Sequence, residues 1–150
     1  MITLKSIEEF LASRKFAIVG VSTNPKKFGY RAYQDLKKKG FSVYPVNPKT
    51  DKINGEKCYP DISSLPGDVS SALIITPRTE TEKIVEEAAN KGIKHIWIQQ
   101  QAETSEAIEK AKRNNIEVIH NKCILMFAEP VTGLHKFHRF FIKLFGKFPI

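Results

Sequence analysis

Residues 15–47, KFAIVGVSTNPKKFGYRAYQDLKKKGFSVYPVN, decide the fold of this chain. The segment begins with the short apolar run KFAIV, continues through a polar loop after Gly20, and then has apolar side chains at helical spacing up to Gly40. A second apolar run, FSVYPV at 41–46, follows that helix. Strand, helix and strand in this order predict a βαβ unit with two parallel strands.

The alternation of apolar runs and helical segments continues as far as residue 120. Three further strands are predicted, at 71–76, 93–98 and 116–120. We therefore expect an α/β fold, a Rossmann-like three-layer αβα domain around a five-stranded, mainly parallel sheet with the strand order 3-2-1-4-5. The segment 47–66 is rich in proline and is expected to be loop, with at most one turn of helix at 61–65.

Two helix starts are indicated by capping boxes, in which a Ser or Thr precedes a Glu by three residues. Ser6 with Glu9 predicts the start of a short N-terminal helix, and Thr79 with Glu82 predicts the start of the helix after the third strand. A further helix is expected from about Ser105 to Asn114.

Length and composition restrict the class of protein. A chain of 150 residues is expected to form one globular core. Its two cysteines, Cys58 and Cys123, are too few for a disulfide framework or a four-cysteine zinc site, which favours a reducing compartment. No apolar run reaches the roughly 18 residues of a membrane span, and the N-terminal segment is charged, so we expect a cytoplasmic protein without a membrane span.

The formal net charge of +8 favours polyanionic partners, such as nucleic acid, anionic lipid or a phosphorylated small molecule. Half of the excess lies in the C-terminal tail, which has no acidic residue and contains Lys136, Arg139, Lys143 and Lys147. The sequence has no signature of an RRM or a helix-turn-helix domain, and charge alone is weak evidence. Nucleic-acid binding is therefore not expected.

The loop after the first strand predicts an anion site. Gly20 permits a tight turn, and the following helix offers free N–H groups and the positive end of its dipole to a phosphate. Polar and basic side chains add donors and charge: Ser22, Thr23, Asn24, Lys26, Lys27 and Arg31. The dinucleotide fingerprint G-x-G-x-x-G is matched at Gly20 alone, because Ser22 and Pro25 occupy the other two glycine places. An ordinary polar turn is the alternative.

The end of the second strand narrows the choice of nucleotide. NAD-binding proteins have an Asp or Glu there to hold the ribose, whereas this chain has Asn47, Pro48 and then Lys49. Lys49 and Lys52 would attract a phosphorylated ribose. A phosphorylated adenosine ligand is therefore favoured over NAD, and a rigid turn without a ligand is the alternative.

The ordered set of motifs resembles a known family. The motifs are GVSTNPKKFGYRAYQDLKKKGFSVYPVNP at 20–48, ING at 53–55 with Tyr59, IITPR at 74–78, WIQ at 97–99, and Cys123. Together they resemble the small stand-alone coenzyme A-binding domain proteins, which are similar to the CoA-binding domain of succinyl-CoA synthetase alpha subunits. The resemblance covers about residues 14–125 and implies coenzyme A, or an acyl-CoA, as the ligand.

The resemblance also implies which residues bind. The loop that wraps the CoA diphosphate in the family corresponds here to Gly20, Ser22, Thr23, Asn24 and Lys27. The segment on the adenosine side corresponds to Val46, Asn47, Pro48 and Lys49. The loop that passes under the ligand corresponds to Thr76, Pro77 and Arg78. The family has a glycine in the loop after Gln99, where this chain has Gln100 and Gln101.

We expect a protein that binds CoA or a short acyl-CoA without catalysis of its own. The alternative is a nucleotide-linked enzyme, either an NADP-dependent oxidoreductase or a partner-dependent acyl-CoA synthetase component. Cys123, with His120 three residues before it, is a candidate nucleophile, but a small buried cysteine is the favoured interpretation. His135 and His138 have a metal-ligand spacing without further ligands, so a solvated basic face is favoured and no metal site is predicted.

The sequence divides into a CoA-binding domain at 1–130 and a basic aromatic tail at 131–150. The tail predicts an amphipathic helix with Leu134, Phe137, Phe141 and Leu144 on one face. Three roles are open for that face. It packs on its own sheet or on a second subunit as a homodimer, it docks on a protein partner, or it lies on a membrane surface, and the first is favoured.

Overall fold

Seven strands and four α-helices make up the part of the chain that the computed structural model describes, residues 2–129. The strands are β1 (Lys15–Val19), β2 (Ser42–Val46), β3 (Lys52–Ile53), β4 (Glu56–Lys57), β5 (Ser71–Ile74), β6 (His95–Gln99) and β7 (Glu117–Lys122). The helices are α1 (Leu4–Ala12), α2 (Phe28–Lys38), α3 (Arg78–Lys91) and α4 (Ser105–Arg113), followed by a 3-10 helix at Ile124–Met126. The predicted tail at 131–150, with its helix and the pair His135 and His138, lies outside the described residues.

Five of the strands form one parallel sheet in the order β2-β1-β5-β6-β7. Helices α1 and α2 contribute to the apolar cluster that contains Phe16 and Trp97, and α3 and α4 contribute to a second cluster that contains Val19 and Ile96. The predicted Rossmann-like αβα architecture is therefore confirmed. Because both faces of the sheet are covered, its central strands read as continuous apolar runs.

The predicted strand order 3-2-1-4-5 is wrong. The third strand of the sheet, β5, pairs with β1 and not with β2, which gives the order 2-1-3-4-5 and makes β2 an edge strand. Pro45 explains this, since a proline has no N–H to donate to a neighbouring strand. The Pro45 carbonyl accepts a hydrogen bond from the Tyr59 N–H at 2.9 Å, on the side of β2 that faces away from β1. In a β-strand, the nitrogen and the carbonyl of one residue point to the same side. The missing donor therefore faces the outer edge.

Two predicted helix starts also differ from the structure. Helix α1 begins at Leu4, and its capping box joins Thr3 and Ser6, so Ser6 is the third helical residue and not the cap. Helix α3 begins at Arg78 directly after Pro77, with no side-chain cap, so Thr79 is not the cap either.

A short hairpin, β3–β4, lies in the segment that was predicted to be loop. Ile53 pairs with Glu56, and the turn between them is Asn54-Gly55 with φ values of 51° and 78°. Asn-Gly is the preferred pair for a two-residue hairpin turn, which needs positive φ at both positions. The signal was present in the ING motif.

Candidate functional site

The carboxyl ends of four parallel strands surround an open cavity of about 1070 Å³. The loops after β1, β2, β5 and β6 line it with Gly20, Ser22, Thr23, Lys27, Phe28, Gly29, Asn47, Lys49, Thr50, Ile75, Thr76, Pro77, Gln99, Gln100, Gln101 and Ala102. The cavity lies where the strand order reverses, because the chain leaves β1 toward β2 on one side and leaves β5 toward β6 on the other. Open α/β sheets bind their ligands at this place.

Gly20 brings the loops after β1 and β5 into direct contact. Its φ is +100°, and a Cβ at this position would lie 3.0 Å from the carbonyl carbon and oxygen of Ile75. Its N–H donates to the Val46 carbonyl at 3.0 Å, so the β1–β2 ladder continues into the loop. A residue with a side chain would therefore be strained here and would separate the two loops.

Gly29 brings the first turn of α2 onto the same loop. A Cβ at Gly29 would lie 2.5 Å from the Gly20 carbonyl oxygen. This contact performs the task of the last glycine in the dinucleotide fingerprint, which is close packing of helix against strand. Sequence analysis missed Gly29 because its distance from Gly20 does not fit that fingerprint. A glycine inside the first turn of an otherwise regular helix was the available signal.

Asn47 connects the loop after β2 to the loop after β1. Its side-chain NH₂ donates to the Val21 carbonyl at 2.8 Å, and its side-chain oxygen accepts from the Lys49 N–H at 2.8 Å. Both polar groups of the side-chain amide are therefore hydrogen-bonded within the protein. It fixes the backbone from which Lys49 and Thr50 reach the cavity.

The loop after β1 is a series of tight turns. The Ser22 hydroxyl oxygen accepts from the Asn24 N–H at 3.0 Å, and the Asn24 side-chain oxygen accepts from the Lys26 N–H at 3.0 Å. The Lys27 N–H donates to the Asn24 carbonyl at 3.0 Å. These turns are local, and they direct the chain into the N-terminus of α2.

Helix N-termini at the cavity differ from those elsewhere in the described chain. Away from the cavity, the Thr3 and Thr104 side chains cap α1 and α4 by accepting backbone N–H groups. At the cavity, α2 follows Lys27 and α3 follows Pro77, and neither helix has a side-chain cap. The first N–H groups of α2 and α3 are therefore available to a ligand.

The loop after β6 is held against the end of β7. The Gln100 N–H donates to the Lys122 carbonyl at 3.2 Å, and the same carbonyl accepts the Trp97 indole N–H at 3.0 Å. The Gln99 side-chain oxygen, which is buried, accepts the Ile124 N–H at 3.1 Å. Gln99 of the WIQ motif thus connects the end of β6 to the 3-10 helix after β7.

Gln101, in the loop after β6, has a φ of 76°. A left-handed conformation costs a residue with a side chain about 1–2 kcal/mol. Because glycine also loses more backbone entropy on folding, we expect Gln101→Gly to raise the free energy of unfolding by about 0.5–1 kcal/mol. Urea denaturation of the ligand-free protein measures this.

The matched control for that variant is Gln100→Gly, one residue earlier. Gln100 does not have a positive φ, so a glycine there relieves nothing and should lower the free energy of unfolding by about 0.5 kcal/mol. Equal effects of the two substitutions would show that residue 101 is not strained.

Eight of the predicted binding residues line the cavity, namely Gly20, Ser22, Thr23, Lys27, Asn47, Lys49, Thr76 and Pro77. Four do not line it, namely Asn24, Val46, Pro48 and Arg78. Val46 is buried in β2, and the Arg78 Nε donates to the Glu103 carbonyl at 3.0 Å. Sequence analysis did not include Phe28, Gly29, Thr50, Ile75, Gln99, Gln100, Gln101 and Ala102 among the binding residues. Contact of any of these residues with a ligand stays a prediction.

Cys123 and His120, the candidate nucleophile and its neighbour, lie outside the cavity lining. Cys123 is buried, and the His120 Nδ1 lies 3.0 Å from the Asn121 side-chain nitrogen. Burial, together with the charge of Lys112, lowers the pKa of His120 below its ordinary value of 6.5.

The structure between residues 2 and 129 has no group of three His, Cys, Asp or Glu side chains that could hold a metal ion. In the same part of the chain, no helix is long and apolar enough to cross a membrane.

The family model of the CoA binding domain matches residues 14–129. The chain belongs to this family. Its membership confirms the resemblance drawn from the motifs, and it makes coenzyme A the cofactor of the domain.

Relatives of the domain occur both as small proteins and as parts of larger ones. The alpha subunit of an ADP-forming acetate–CoA ligase II from Pyrococcus furiosus is 29% identical over 135 residues, which cover 88% of this chain and 30% of that subunit. The chain therefore spans less than a third of this ligase subunit. A hypothetical protein from Pyrococcus horikoshii has a similar structure, with a TM-score of 0.81 and 32% identity over 88% of this chain and 94% of that one. A conserved hypothetical protein from P. furiosus has a TM-score of 0.72 and 39% identity over 74% and 96% of the two chains.

Proposed function

We propose that the cavity binds coenzyme A with its phosphates on the β1–β2 side and its pantetheine arm on the β5–β6 side. The distribution of charge around the cavity carries this proposal. Lys27 and Lys49 line the first side, whereas the second side has Thr76, Pro77, Ala102 and the three glutamines at 99–101, none of which is charged. CoA has the same asymmetry, because its adenosine end carries all the phosphates and its pantetheine arm is a neutral chain with two amides.

Each part of the first side suits a phosphate. The uncapped N-terminus of α2 offers backbone N–H groups at Phe28 and Gly29, and Ser22, Thr23 and Lys27 surround it. A diphosphate at this point gains both the helix dipole and charge-assisted hydrogen bonds. Lys49 and Thr50, which Asn47 holds at the adenosine side, suit the 3′-phosphate of the ribose.

We further propose that the domain binds CoA or a short acyl-CoA without chemistry of its own. The described residues that line the cavity include no Asp, Glu, His or Cys, so catalysis by a carboxylate, an imidazole or a thiol has no group to use there. A second candidate is a component of an acyl-CoA synthetase that works with a partner. The similarity to part of an acetate–CoA ligase subunit favours it.

Isothermal titration calorimetry with CoA, dephospho-CoA, acetyl-CoA and NAD tests the proposal. We expect CoA and acetyl-CoA to bind about equally and NAD to bind poorly. Dephospho-CoA should bind about 10- to 100-fold more weakly than CoA, because one charged hydrogen bond contributes about 1.5–3 kcal/mol. Equal affinity for CoA and dephospho-CoA would show that Lys49 does not contact the 3′-phosphate. A preference for NAD would overturn the proposed function.

Residues 1–130 are proposed to form the CoA-binding domain and residues 131–150 a separate basic aromatic tail. Soluble monomers rarely expose as many large apolar side chains as the tail contains, which supports packing on the domain, on a second subunit or on a protein partner. We propose the cytoplasm as the site of action, since two cysteines without a disulfide framework suit a reducing compartment.

A further inference from the structure

Thr81 is a buried polar residue that contacts residues of the cavity lining and does not itself line the cavity. It lies in the first turns of α3 and is completely buried. Its Oγ1 is 2.7 Å from the Ala102 carbonyl oxygen and 3.3 Å from both the Pro77 carbonyl oxygen and the Thr76 Oγ1. One hydroxyl thus contacts the loop after β5 twice and the loop after β6 once.

The hydrogen of this hydroxyl has one best acceptor. A threonine hydroxyl donates once and accepts through its lone pairs. The contact to the Ala102 carbonyl is by far the shortest, so Thr81 donates there and accepts the hydrogen of the Thr76 hydroxyl. The result is a buried chain of hydrogen bonds from Thr76 through Thr81 to Ala102.

Both ends of this chain line the cavity. Thr76 belongs to the loop after β5, and Ala102 belongs to the loop after β6. The same two loops have a second connection at the surface, from the Arg78 Nε to the Glu103 carbonyl at 3.0 Å. The β1–β2 side of the cavity has its own connection, from the Asn47 side-chain NH₂ to the Val21 carbonyl.

We propose that Thr81 is a positioning residue for the pantetheine arm. Its hydroxyl sets the spacing between the loops after β5 and β6, and this spacing determines how well the neutral side of the cavity fits the arm. The inference rests on the proposed function, because it needs CoA to lie across the cavity in the proposed direction. It also assigns a functional effect to a side chain that the ligand does not touch.

The test compares Thr81→Val, which keeps the shape and removes the hydroxyl, with Thr81→Ser, which keeps the hydroxyl. Calorimetry measures the binding of CoA and of adenosine 3′,5′-bisphosphate, which has no pantetheine arm. We expect Thr81→Val to weaken CoA binding about tenfold and to change bisphosphate binding less than twofold, because the loops that lose their buried connection lie on the pantetheine side. Thr81→Ser should bind both ligands within about twofold of the parent, since the hydrogen-bonding group is retained.

Several outcomes would overturn the inference. If Thr81→Val binds CoA like the parent, or loses CoA and the bisphosphate equally, the hydroxyl has only a structural role. If Thr81→Val does not fold, Arg78→Met removes the surface connection between the same loops and should weaken CoA binding, by a smaller factor, without affecting the bisphosphate. Unchanged binding in Arg78→Met would then count against the inference. A parent protein that binds neither ligand would reject the proposed function itself.

Discussion

Lys49→Glu should weaken CoA binding at least about 30-fold and dephospho-CoA binding less than about fivefold. Loss of a charged hydrogen bond costs about 1.5–3 kcal/mol, and the new carboxylate would also repel the 3′-phosphate. The backbone at Lys49 is held in place, because its N–H donates to the Asn47 side-chain oxygen and the Asn47 side-chain NH₂ donates in turn to the Val21 carbonyl. Calorimetry with the two ligands measures the difference.

Lys38→Glu is the matched control for this charge reversal. Lys38 is exposed at the end of α2 and does not line the cavity. Both variants replace a lysine by a glutamate and therefore have the same net charge. We expect its CoA affinity to stay within about twofold of the parent, since exposed charges beyond a Debye length are screened by salt. If the two variants lose the same affinity, the effect comes from net charge and Lys49 has no specific contact.

Gly29→Ala should lower the free energy of unfolding by about 3 kcal/mol and abolish measurable CoA binding. The new Cβ would lie 2.5 Å from the Gly20 carbonyl oxygen, which is too close for any real contact. The Gly20 oxygen is a backbone atom and the new Cβ is bonded directly to the backbone, so neither can rotate away. The first turn of α2 therefore has to move away from the loop after β1. That movement displaces Phe28 and Lys27 from the proposed phosphate site.

Gly67→Ala provides the control for adding a methyl group. Gly67 has no atom within 4 Å of the added Cβ and no positive φ. The free energy of unfolding of the Gly67→Ala variant should equal that of the parent or exceed it by about 0.5 kcal/mol, because alanine reduces the entropy of the unfolded chain. Urea denaturation midpoints and slopes compare the two variants. A Gly29→Ala protein as stable as the parent would mean that the helix and loop are not in close contact.

The fold class was predictable because it depends on local patterns. The apolar runs and the helical spacing in 15–47 already contain the βαβ unit, and each later strand repeats the pattern. The predicted strand order is wrong because it follows a common Rossmann-like arrangement and takes no account of Pro45. Pro45 was the residue that could have corrected it, since a proline inside a strand indicates an edge. The Asn54-Gly55 pair is likewise a local signal, for the β3–β4 hairpin.

The site was predictable to the extent that it follows from strand ends. Loops at the carboxyl ends of parallel strands meet at one edge, which is why eight predicted residues line the cavity. The remainder depends on contacts between residues far apart in sequence. The approach of Gly29 to Gly20 and the connection of Thr81 to Ala102 arise from the packing of α2 and α3. The glycine in the first turn of α2 is a local sign of the first contact, whereas no local pattern contains the second.

The outer edge of β2 has a consequence for assembly. The Tyr59 N–H donates to the Pro45 carbonyl, and the Tyr59 carbonyl accepts from the Asn47 N–H. The chain therefore covers its own sheet edge at this end of β2. Pro45 itself has no hydrogen to offer to a neighbour. A strand from another molecule therefore finds no free ladder at this end of β2, which disfavours β-sheet extension through the edge, a common step in domain swapping and fibril growth.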